Sequence, residues 1–150
     1  MSRRHPINWE NIKKDEQQAS GEVRKSILDG VSKGAPSLMV AYKYQAKAAT
    51  VGFDWDTVSG VEDKAREELE EIIAESDNTK KAEEIADLMF VLVNWLRWLD
   101  VEDPESIIRG VNNKFYRRFT YVEDNAPRPL SEMSLDDMEA LWTEAKAKGL

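Results

Sequence analysis

Apolar residues recur along most of this chain with the 3.6-residue period of a helix buried on one side, and no stretch alternates convincingly as a half-buried strand would. After a loop over Gly30 to Pro36, Ser37 stands where a helix cap belongs. The spacing predicts a helix through about Ala49 with Leu38, Ala41, Tyr42, Gln45 and Ala48 along one side. Gly52-Phe53-Asp54-Trp55-Asp56 reads as a tight loop bearing two aromatic rings, which can stack on a ligand or staple the loop to the core; packing is the expectation. Residues 58–76 predict a strongly acidic helix. Asp77-Asn78 breaks it, and either residue can cap the next, over about 79–99, which holds the most apolar stretch of the chain, Ile85 to Leu96. Asp103-Pro104 supplies a cap followed by proline at the first helical position, opening a helix through about Val122 that Pro127-Arg128-Pro129 ends. Ser134-Leu135-Asp136-Asp137 resembles a capping box and opens a last helix that stops at Gly149. With a short polar helix over 8–20 capped by Asn8, the prediction is an all-α antiparallel helical bundle. Residues 1–36 form an N-terminal extension and residues 37–150 the domain proper.

Composition narrows the function classes. At 150 residues the chain suits one domain. A formal net charge of −8 argues against nucleic acid or an anionic membrane as partner. It leaves an anionic substrate open, because a bound metal inverts the local sign. There is no cysteine, hence no disulfide framework and no thiolate metal or redox site. No apolar stretch follows Met-Ser-Arg-Arg-His-Pro, so a secretory signal is not expected. The run at 85–96 is too short, and interrupted by Asp87 and Asn94, to span a bilayer. The expectation is a soluble cytoplasmic protein.

The charge is unevenly spread. Residues 54–87 hold 13 acids against Lys64, Arg66, Lys80 and Lys81. On the wheel of the acidic helix Lys64, Glu68, Glu71 and Glu75 share a sector that Glu67 borders, beside an apolar arc of Val61, Ala65, Leu69, Ile72 and Ile73. On the following helix Glu84 and Asp87 lie one turn apart. Val91, Asn94 and Trp98 continue their sector and frame Asp87 with apolar neighbours, so it reads as an acid set into the core. An acidic helix face is ordinarily a solvated one. If the two helices pack antiparallel, however, the sets converge, and two carboxylates ~4 Å apart repel by about 4 kcal/mol at an effective dielectric of 20. A divalent cation is the alternative to a solvated face. Oxygen ligands, with no cysteine and His5 the only histidine, suit Mg²⁺ or Mn²⁺ better than Zn²⁺ or a di-iron centre.

Lys114, Arg117 and Arg118 fall at i, i+3 and i+4 and make one cationic patch interleaved with Phe115, Phe119 and Tyr121. Such a patch pairs with the acidic helices or recognises phosphate. An acid-held metal with a basic clamp is what polyphosphate hydrolysis requires.

Lys64-Ala65-Arg66-Glu67-Glu68-Leu69-Glu70-Glu71, Glu83-Glu84-Ile85-Ala86-Asp87-Leu88-Met89-Phe90 and Asn112-Asn113-Lys114-Phe115-Tyr116-Arg117-Arg118-Phe119 together resemble the MazG nucleoside triphosphate pyrophosphohydrolases. Ala41-Tyr42-Lys43, Val51-Gly52-Phe53-Asp54-Trp55 and Met138-Glu139-Ala140-Leu141-Trp142 extend the resemblance over roughly 37–145. Many members carry two such domains, and this chain is most like the C-terminal copy. The resemblance implies the all-α NTP pyrophosphatase fold and Mg²⁺-dependent cleavage of NTPs and dNTPs at the α–β bridge to NMP and pyrophosphate, with Mn²⁺ able to substitute. By motif position it implies Glu68, Glu71, Glu84 and Asp87 as metal ligands, and Glu67 as the acid that orients the attacking water. Lys114 and Arg118 are placed on the triphosphate in a catalytic role, with Lys64, Asn94, Arg117 and Trp142 as further substrate contacts. The apolar helix with Trp95 and Trp98 exposes more than one subunit covers. With the family's habit, this implies a core completed by a homodimer, or by a dimer of dimers. Two other readings stay open: a nucleotide-selective all-α dUTP or dCTP pyrophosphatase, and a non-catalytic acidic helical oligomerisation module.

Overall fold

The computed structural model describes residues 25–150, so the helix expected over 8–20 and its Asn8 cap lie outside the described residues. Among the described residues every regular element is helical. In order these are α1 (Ser37–Thr50), α2 (Val58–Ala74), α3 (Asn78–Trp98), α4 (Pro104–Asn125), a 3-10 turn at Leu130–Glu132, and α5 (Leu135–Ala147).

Capping chemistry sets most of the boundaries. The Asp77 carboxylate accepts the Lys80 backbone N–H at 2.9 Å and starts α3. Asp103 takes the Ser106 N–H at 3.0 Å with Pro104 at the first helical position, and Ser134 takes the Asp137 N–H at 3.1 Å. At α1 the expected cap is corrected. Ser37 is already helical, Pro36 occupies the cap position with no side-chain cap, and the Pro36 carbonyl receives the first helical bond from Val40 at 3.0 Å. α4 runs to Asn125 rather than Val122, because nothing forbids helix before Pro127; Asn125 Nδ2 then donates to the Tyr121 carbonyl at 2.9 Å in the last turn.

The helices pack chiefly as two pairs. α2 and α3, joined by only three residues, lie antiparallel along their length, and α4 packs against α5. α1 bridges them, lying mainly on α3 and touching α4. The interior is thin for a chain of this size. Val31, Val61, Val93, Val122 and Ala145 are the buried apolar side chains among the described residues, and Glu68 is buried with them. On α3 and α4 large apolar residues stay open, including Ile85, Met89, Phe90, Ile108, Val111 and Phe115. No described helix is long and apolar enough to cross a membrane.

α1 ends in a Schellman-type turn: Phe53 N–H reaches back to the Ala48 carbonyl and Gly52 N–H to that of Ala49, with Gly52 at φ +85°. That turn throws residues 53–56 across the open end of the α1–α3 groove.

Candidate functional site

Residues equally far from the α2–α3 turn face each other in an antiparallel hairpin, so Glu71 meets Glu84, and Glu68 stands on the next rung opposite Asp87. The outcome is a cluster in which Glu68, Glu71 and Glu84 each present a carboxylate oxygen within 4.8 Å of the others. Glu68 is 6% exposed. Its Oε1 receives Lys64 Nζ at 3.1 Å, while its Oε2 is buried with no hydrogen-bond partner among the described residues. The same lysine reaches the exposed Glu67 at 3.5 Å, and its pKa is raised, chiefly by the bond to Glu68. The Glu84 carboxyl is held above the ordinary carboxylate range, first by desolvation and then by Glu71, Glu68 and Asp87.

Asp87 departs from the expectation. It is exposed rather than set into the core, because its helical neighbours Ile85, Ala86, Met89 and Phe90 are themselves uncovered in a single chain. Its carboxylate lies outside the three-way cluster yet close enough to act on Glu84.

Beside the cluster opens a cavity of about 600 Å³ between α1, α3 and the 52–55 loop. Lys64 and Asn94, expected as substrate contacts, both line it, and Lys64 thereby joins cavity to acids. Both loop aromatics line the cavity, and of the two Trp55 also staples the loop. Trp55 packs across the first turn of α2, where a Cβ on Gly60 would fall 2.7 Å from its ring. Phe53 is 82% exposed and stands on the cavity wall without stapling the loop. Two polar groups of this wall escaped the sequence reading. Arg97 Nη2 meets Asp54 Oδ1 at 2.5 Å while its Nε donates to Asn94 Oδ1 at 2.9 Å. Gln45 Nε2 donates to the Phe90 carbonyl at 2.8 Å. The i, i+3 spacing of Asn94 and Arg97 was a legible signal; the link to Asp54, 43 residues away, was not.

The cationic residues gather elsewhere. Arg118 lies over the Trp142 ring, 5.7 Å from its centroid, and its Nε donates to the Leu150 carbonyl at 2.7 Å. Trp142 in turn meets Phe115 at 5.4 Å between centroids, and Lys114 and Arg117 are exposed on the same helix. None of these residues lines the cavity. The structure therefore joins the expected residues in two groups, acids with Lys64 and Asn94 on α2–α3, and Arg118 with Trp142 on α4–α5.

The α2–α3 pair thus converges three carboxylates that could hold a cation, beside a cavity. No family model matches the chain. Its sequence is nevertheless 38% identical over 146 residues to the nucleoside triphosphate pyrophosphohydrolase of Escherichia coli (strain K12), covering 92% of this chain and 54% of that protein. It is 36% identical over 141 residues to the nucleoside triphosphate pyrophosphohydrolase/pyrophosphatase MazG of Thermotoga maritima, with the same coverage of both. It is also 41% identical to the uncharacterized protein YabN of Bacillus subtilis (strain 168), covering 97% of this chain and 34% of that one. The chain spans about half the length of the first two relatives. The likeness to MazG read from the motifs is thus a similarity across nine-tenths of the chain.

Proposed function

We propose that this protein is a nucleoside triphosphate pyrophosphohydrolase, cleaving NTPs and dNTPs between the α and β phosphates to NMP and pyrophosphate. The observation that carries the reading is the buried Glu68, one oxygen on Lys64 and the other with no hydrogen-bond partner among the described residues, in a three-carboxylate cluster beside a nucleoside-sized cavity. Three acids so close need counter-charge beyond one lysine, and an all-oxygen donor set fits Mg²⁺, with Mn²⁺ as a substitute. Glu68, Glu71 and Glu84 would hold the ion, and Asp87 would complete the set from the neighbouring rung. When bound, a divalent cation neutralises phosphate oxygens and lowers the pKa of a water.

The chain's own residues account for the rest of the reading. Lys64 is placed to touch the phosphates where they leave the cavity. Glu67, exposed at the edge of the cluster and tied to Lys64, accepts a hydrogen bond from the attacking water and orients it toward the α phosphorus. Lys114, Arg117 and Arg118 bind the β and γ phosphates and stabilise the charge of the departing pyrophosphate, with Trp142 holding Arg118 in place. Because these cations sit on α4 and belong neither to the cavity wall nor to the acid cluster of their own chain, they serve the acids of a second copy. The open apolar residues of α3 and α4 supply the contact between copies. The protein works as a homodimer, or as two such dimers, on the nucleotide pool of the cytoplasm.

A panel of the eight common NTPs and dNTPs, with and without Mg²⁺, tests the reaction. Metal-dependent formation of NMP and pyrophosphate is expected. Release of inorganic phosphate overturns cleavage at the α–β bridge, and no metal-dependent turnover of any of the eight leaves only a helical oligomerisation module.

A further inference from the structure

Two amides on the cavity wall have their polarity fixed by neighbours that cannot adapt. The Phe90 carbonyl only accepts, so the Gln45 amide must turn its Nε2 toward it, at 2.8 Å. This leaves Gln45 Oε1 as a committed acceptor, and it is buried with no hydrogen-bond partner among the described residues. A guanidinium only donates, so Asn94 must turn its Oδ1 toward Arg97 Nε, at 2.9 Å, and is left with its Nδ2 as a committed donor. Arg97 cannot swing away to release it, being held by Asp54 at 2.5 Å. Neither amide can flip without setting donor against donor or acceptor against acceptor. The remaining wall is largely apolar, with Tyr44, Phe53, Trp55 and Phe90 offering ring surface.

A rigid acceptor and a rigid donor in an aromatic cavity match the edge and faces of a planar heterocycle. We infer that Gln45 and Asn94 are specificity-determining residues that read the nucleobase: Gln45 Oε1 accepts an N–H of the base and Asn94 Nδ2 donates to an acceptor on the same base edge. The inference rests on the proposed hydrolysis of nucleoside triphosphates and adds the base-reading groups to it. A base without an N–H leaves Gln45 Oε1 buried and unpaired, which is costlier than never having offered the group. Discrimination of that kind exceeds what apolar shape alone provides.

The experiment compares kcat/KM for the four ribonucleoside triphosphates with their donor-free counterparts. Purine riboside triphosphate serves for both purines and 2-pyrimidinone riboside triphosphate for both pyrimidines. For the wild-type protein the best parent substrate is expected to exceed its donor-free counterpart roughly tenfold, the scale of one hydrogen-bonding group left unpaired. In Gln45→Met, which keeps length and apolar bulk while the Phe90 carbonyl retains its helical amide, that ratio is expected to fall to about one. Equal turnover of parent and donor-free substrates by the wild-type protein overturns the inference, whether or not the variant folds, and leaves the hydrolase reading standing. A ratio that survives in Gln45→Met overturns it too. No turnover of any triphosphate removes the hydrolase reading, and the inference with it.

Discussion

A carboxylate as buried as Glu68, with one oxygen on Lys64 and the other without a hydrogen-bond partner among the described residues, is under an electrostatic tension that a nearby cation would relieve. Glu84 bears the same tension, its pKa raised by desolvation and by three acids around it. Replacing Glu84 with Gln removes one repelling charge at nearly constant shape. In chelator the variant should therefore melt above the wild-type protein. Millimolar Mg²⁺ should raise the wild-type melting temperature and leave that of Glu84→Gln almost unmoved. Parallel Mg²⁺ responses in a thermal-shift titration would show that the acids are merely solvated. At Gly60 the constraint is steric, for a Cβ there would fall 2.7 Å from Trp55. Gly60→Ala should push the indole off α2 and loosen residues 53–55 on the cavity wall. KM for nucleotide should rise several-fold with a smaller change in kcat. The acids were legible in the sequence because helical spacing alone puts Glu68 with Glu71 and Glu84 with Asp87. Gln45 and Arg97 were not, because their roles come from a carbonyl and a carboxylate more than 40 residues away.

Element boundaries in this chain follow local chemistry, which is why all five described α-helices start within a residue of their predicted positions, Asp103 and Ser134 cap as expected, and Asp77 is the one of the expected Asp77-Asn78 pair that caps. The exposure of α3 was not legible. Its apolar stretch predicted a covered helix around Asp87, whereas coverage depends on what packs over it, and within one chain only α1 and α2 do so extensively. The Asp103 cap gives a prediction with a defined pH dependence. Its carboxyl is held below the ordinary range, mainly by the Ser106 backbone N–H and then by the Ser106 hydroxyl. A depressed folded pKa means that the ionised form stabilises the fold at pH above the unfolded value, about 3.9. That contribution is lost as pH falls through the lower folded value. Asp103→Ala should melt a few degrees below wild type at neutral pH, and the gap should close on acidification below about pH 4. A gap that persists unchanged at low pH would mean that the cap acts by shape and not by charge.

At the scale of the molecule, the acid cluster and the Lys114–Arg118 patch occupy different helical pairs, and large apolar residues of α3 and α4 are open. A stable interface between copies buries about 1,200–2,000 Å² in total, and the uncovered residues of α3 and α4 lie where such a contact would form. If the proposed homodimer forms through them, a charge placed there, as in Ile108→Glu, should give monomer where the wild-type protein gives dimer in analytical ultracentrifugation. Activity should fall with the dimer fraction even though residue 108 is none of the proposed ligands. The sharper test uses two inactive proteins. Glu71→Gln should be inactive because its cluster is broken, and Arg118→Ala because its clamp is. If each site takes its acids from one copy and its cations from the other, a heterodimer of the two has one site with both defects and one with neither. Random reassortment of equal amounts makes about half of the dimers mixed, so mixing after mild denaturation and refolding should restore roughly a quarter of wild-type activity. If each chain instead builds its own site, every site in the mixture keeps one lesion and nothing is restored. The two arrangements differ in what is measured by a factor far larger than assay error, and neither needs the absolute rate to be known.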